Sequence, residues 1–131
     1  MTDLKALIEK QRAELEVVKF KTVDVVCGGE KVTLTVEKVI PDVWDALMIS
    51  SPARRGSESD SIVGYNTKAV SLAYPRLLRD GELLDSQTRA DLYAVLDSTW
   101  RNAIGVVIWG VNVNEPLQEM RTLGKASAGR K

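Results

Sequence analysis

Histidine is absent from this chain of 131 residues. Its absence removes the usual general base, the usual partner that activates a nucleophile, and the commonest zinc ligand. An enzyme would have to run on carboxylates or lysines, and no enzymatic activity or cofactor is expected. Cysteine occurs once, at Cys27, which excludes an intrachain disulfide and suits a reducing compartment. Net charge is lacking too, since 18 Lys and Arg balance 18 Asp and Glu. That balance argues against a strongly basic nucleic-acid binder or a polybasic membrane binder. The longest apolar run, Ile104 to Val111, contains Gly105 and Gly110 and is far too short to span a bilayer. Met1-Thr2-Asp3-Leu4-Lys5 has neither the basic region nor the apolar block of a signal peptide. The expectation is a soluble protein with no nucleic-acid or membrane partner.

What is present fits one globular domain. The apolar fraction is 44%, and the length suffices to bury a core without disulfides or metal. Leu4, Leu7, Ile8 and Leu15 fall on one side of a helix over about 3–16, capped by Thr2 or Asp3. Such a helix either packs on its own domain or docks another subunit. From Val18 the period changes to two. Val23, Val25 and Cys27, then Val32, Leu34 and Val36, alternate with Thr22, Asp24, Thr33 and Thr35. Gly28-Gly29 suits a two-residue hairpin turn, because both positions take positive φ without steric penalty. The turn predicts Cys27 opposite Glu30, Val25 opposite Val32 and Val23 opposite Leu34. Pro41 opens a helix through Val43, Trp44, Leu47 and Met48. Ser50 to Ser61 reads as a mobile polar loop, whose Arg54-Arg55 pair is either solvated or a grip for an acidic partner. Asn66 or Thr67 caps a helix to about Tyr74, and Ser86 or Thr88 caps another. Along the latter, Tyr93, Leu96, Trp100, Ala103 and Val107 form one continuous amphipathic stripe. Leu117, Met120 and Leu123 fit a last short helix.

These elements predict an α+β, mainly helical fold with about four helices and one N-terminal β-hairpin. Residues 1–123 form a single domain, with the hairpin at about 19–38 and the helical part at about 41–110. The basic end, 124–131, is expected to be disordered.

Site chemistry is thin. Asp80, Glu82 and Asp85 lack the alternate-oxygen spacing of a calcium loop and read as an acidic turn between helices. Asp91 and Asp97 do not share a helix face. Gly28-Gly29 lacks the Lys and helix start of a phosphate loop, and Cys27 reads as a small core residue. Trp44 and Trp100 fit a core, while Trp109 is the aromatic residue most suited to anchor an interface.

One order of features goes further. Gly64-Tyr65-Asn66 leads into Ala69-Val70-Ser71-Leu72-Ala73, then Tyr74-Pro75-Arg76-Leu77-Leu78 and the acidic Asp80-Gly81-Glu82. The stretch from Asp91 to Trp100 follows, closing on Trp100-Arg101-Asn102-Ala103. This order resembles the small tail assembly chaperones of long-tailed phages, especially those infecting actinobacteria. The resemblance implies a protein that binds the tape measure protein in the host cytoplasm, keeps it soluble and helps recruit tail tube subunits. It also implies partner-binding residues in this region, and Leu72, Tyr74, Leu77, Tyr93, Trp100 and Trp109 are the candidates. Self-association is a further expectation. A frameshift in genes of this family commonly yields a longer second product, and Gly124-Lys125 is a dipeptide that a slippery guanine–adenine run encodes. The alternative is a structural virion part, such as a head–tail connector or tail terminator.

Overall fold

The hairpin forms in the expected register because turn chemistry and side-chain period agree. In the computed structural model, which describes residues 3–128, β1 (Phe20–Cys27) pairs antiparallel with β2 (Glu30–Glu37). Cys27 stands opposite Glu30, Val25 opposite Val32 and Val23 opposite Leu34. Gly28 and Gly29 take φ of 62° and 77°, the left-handed values a two-residue turn requires. Val23, Val25, Leu34 and Val36 are buried on one face, where each contributes about 2 kcal/mol of hydrophobic stabilisation. Cys27, half-buried, packs beside them.

The sheet is larger than one hairpin. Beyond β2 lie β3 (Leu77–Arg79) and β4 (Glu82–Leu83), giving an antiparallel order β1-β2-β3-β4. The acidic segment at Asp80-Gly81 is therefore a hairpin turn rather than a link between helices, with φ of 52° and 80° at its two residues. Asp-Gly is among the strongest two-residue hairpin signals, but strands of three and two residues carry too little alternation to mark it as one.

Helices outnumber the expected four. They are α1 (Leu4–Glu16), α2 (Pro41–Ser50), α3 (Glu58–Val63), α4 (Thr67–Ala73), α5 (Ser86–Val95), α6 (Ser98–Trp109) and α7 (Glu115–Ala128). A π-helical turn, Gly110–Asn114, joins α6 to α7 without a break. Pro41 occupies the first turn of α2, and the Asn66 side chain caps α4 by accepting from the Ala69 N–H. The cap of α5 is Asp85, accepting from the Thr88 N–H, one residue before the expected Ser86.

The single stripe expected from Tyr93 to Val107 is broken. Leu96 and Asp97 are extended, and the Asp97 carbonyl accepts from the Trp100 and Arg101 N–H groups to start α6. The break turns Leu96 into the core, where it is buried. α6 then packs on β1, α4 packs on α5 and α6, and α2 packs on α4. The core between sheet and helices includes Val70, Tyr74, Ile104, Ile108 and Val111.

Ser50 to Ser61 is not a loose loop. Ser57 caps α3, and Asp60 within that helix is fully enclosed. At the chain ends, α1 buries none of its residues, and Leu117, Met120 and Leu123 of α7 are exposed. The helix α7 continues through Ala128, so 124–128 are helical where disorder was expected. The rest of that expected tail, 129–131, lies outside the described residues.

Candidate docking groove

One wall of the groove depends on a buried charge. The Asp60 carboxylate accepts from the backbone N–H, Nε and Nη2 of Arg54, at 2.9, 2.9 and 3.1 Å. It also accepts from the N–H and Oγ1 of Thr67, at 3.2 and 3.1 Å. The bonds from the Arg54 guanidinium outweigh burial and hold this carboxyl well below the usual range. Arg54 is thus spoken for within the chain rather than offered to a phosphate or an acidic partner. The five bonds tie the segment before α3 to the start of α4, and so fix Ile62 and Val63 in place.

The opposite wall is α6. Arg101, Gly105 and Trp109 recur every four residues and line the same hollow as Val106, Tyr93 and Tyr65. Gly105 lines the hollow, and a Cβ there would meet nothing nearer than the Ser71 Oγ at 4.0 Å. Tyr65 is buried, with its ring edge-on to Trp44 at a centroid distance of 5.6 Å. The Arg101 guanidinium lies 4.9 Å from the centre of the Tyr93 ring, a cation–π contact that fixes both side chains. Burial pushes the Tyr93 hydroxyl up, partly offset by Arg101 and Arg54. The resulting groove encloses ≈ 460 Å³ and is largely apolar. Its lips carry Ile62 and Val106, which are 78% and 65% exposed.

Of the six candidate contact residues, the fold brings Tyr93 and Trp109 together here. Trp100 is half-buried against the core instead. Leu72 is half-buried on α4, its carbonyl accepting from Arg89 Nε at 3.1 Å. Tyr74 and Leu77 are not surface residues: they are 0% and 3% exposed. Leu77 sits on β3 opposite Val36, so strand pairing turns it inward. The Tyr74 hydroxyl donates to the Glu37 carbonyl and accepts from Asn112 Nδ2, which draws the ring into the interior. Ile62, Val63, Arg101, Gly105 and Val106 were not anticipated. The four-residue spacing of Arg101, Gly105 and Trp109 was legible, but nothing local says what faces it.

Among the described residues no group of three or more Cys, Asp or Glu is placed to hold a metal ion, and no helix is long and apolar enough to cross a membrane. Compared with family models, curated proteins and solved structures, the chain matches none.

Proposed function

We propose that this protein is a phage tail assembly chaperone that binds the tape measure protein in the host cytoplasm, keeps it soluble and helps recruit tail tube subunits. The observation that supports this reading is the apolar groove between α3 and α6, with Tyr93 and Trp109 in its walls. A tape measure protein exposes long apolar helical stretches that aggregate unless covered. A groove of this kind covers such a stretch by taking its apolar face, helix into groove. A head–tail connector or tail terminator is the alternative. Dominant strand content would favour it, and β3 and β4 add only three and two residues to the hairpin.

Co-expression with a tape-measure fragment tests the reading, and Gly105 is the place to intervene. Gly105→Ala should raise stability by up to about 1 kcal/mol, since alanine is the better helix former and its Cβ has room. Gly105→Phe, where circular dichroism shows the fold retained, should fill the groove and lower the soluble fragment several-fold. Trp109→Ala should weaken the effect in the same direction. A folded Gly105→Phe variant that keeps the fragment fully soluble would reject this groove as the client site.

A further inference from the structure

Arg101 is the one charged side chain lining the groove. Its Nη2 donates to the Ala94 carbonyl at 3.3 Å, near the end of α5. Its Nε is buried and has no hydrogen-bond partner, and among the described residues Arg101 forms no ion pair. The other cation near Tyr93 differs in this respect, because the fork of Arg54 is taken by Asp60. The groove therefore presents a fixed guanidinium with donors to spare, in apolar surroundings, and no acid of its own. A guanidinium's planar fork matches the two oxygens of a carboxylate.

We propose that the groove takes an amphipathic helix carrying one Glu or Asp within its apolar stripe. The carboxylate seats on Arg101 while the flanking apolar side chains pack on Ile62, Val106 and Trp109. Charge complementarity commits the site to this occupant. A wholly apolar or basic stripe would leave the Arg101 charge desolvated and unpaired, so the acid acts as a selector among helices of similar apolarity. The inference rests on the groove being the client site, and names the feature by which a client segment is chosen.

The probes are two synthetic peptides of about fifteen residues, near the length at which helices become marginally stable in water. Both consist of alanine, leucine and glutamine, and differ only in Glu or Gln at the centre of the leucine stripe. Each is titrated into the full-length chain and followed by tryptophan fluorescence and calorimetry. The Glu peptide should bind about ten-fold tighter, equivalent to about 1.4 kcal/mol, and salt should narrow the difference. Arg101→Gln should erase the difference, weakening the Glu peptide and strengthening the Gln peptide, which no longer desolvates an unpaired charge, and Arg101→Lys should keep only part of it. Gly105→Phe should abolish binding of both. If Arg101→Gln does not fold, the comparison of the two peptides on the unaltered chain, with its salt dependence, still decides. Equal affinities would overturn the carboxylate selection and leave the groove standing as a client site. Failure of both peptides to bind the folded chain would overturn the selection and the groove reading together. Preference for the Glu peptide that survives Gly105→Phe would place its binding outside the groove and overturn the inference together with the groove reading.

Discussion

Asp60→Ala is expected to lower the melting temperature by about 10 °C, the largest effect of any single substitution considered for this chain. The carboxylate is fully enclosed and accepts five hydrogen bonds, from Arg54 and Thr67. Removing it strands the Thr67 donors and the Arg54 backbone N–H, while the half-exposed guanidinium of Arg54 recovers water. Breaking a buried pair from one side costs about 3–5 kcal/mol, and the lower figure applies because Arg54 is reachable by solvent. At about 3 °C per kcal/mol for a chain of this size, that gives the stated shift. The same bonds set a pH dependence. Because the folded Asp60 carboxyl titrates below the unfolded one, its contribution is complete above about pH 4 and is lost as pH falls toward the folded value. Stability of the parent should therefore decline below about pH 4, and that of Asp60→Asn should decline less. Calorimetry across pH 2–6 checks both, and identical acid slopes would refute the assignment. Arg54→Ala should destabilise in the same direction, so it is no neutral surface control for binding experiments.

Asn112→Leu is expected to cost about 2–3 kcal/mol despite the similar volume of the two side chains. Asn112 Oδ1 accepts from the Val39 N–H at 3.2 Å, and its Nδ2 donates to the Tyr74 hydroxyl at 2.8 Å and the Ile108 carbonyl at 2.9 Å. This amide ties the π turn to the chain just after β2 and to the buried Tyr74 ring. Leucine would leave the Val39 N–H unpaired, which is the larger penalty. Tyr74→Phe should cost about 1 kcal/mol, through loss of the bond to the Glu37 carbonyl. The double variant should lose less than the sum, as members of one network do. Burial pushes the hydroxyls of Tyr65 and Tyr74 up to about 12. Their folded values exceed the unfolded ones, so this contribution is whole below about pH 10 and is lost as pH rises beyond it. Urea denaturation measures each change. A neutral Asn112→Leu would mean that the π turn does not depend on this amide. π turns often mark functional sites; here the turn's observed consequence is to set Asn112 against Tyr74.

Local chemistry by itself determined the hairpin, its register and the face that it buries. Gly28-Gly29 and the alternation of Val23, Val25, Leu34 and Val36 are constraints within about ten residues of one another, and they agree. Pro41 and Asn66 set helix starts in the same way, through bonds inside a single turn. Only the tertiary structure decided the rest. Tyr74 and Leu77 look like an exposed helix end until β3 pairs with β2 and Asn112 reaches Tyr74 from 38 residues away. Asp60 looks like one more acid in a polar loop until Arg54 and Thr67 close around it. The break at Leu96-Asp97 lies inside a continuous stripe of apolar spacings, and only the core, which draws Leu96 inward, decides it. The groove is the extreme case, since α3, α4 and α6 each supply a few side chains, α5 supplies Tyr93, and none carries the pattern alone. Period and turn residues report which face of an element is apolar. Whether that face is covered depends on which distant element arrives to cover it.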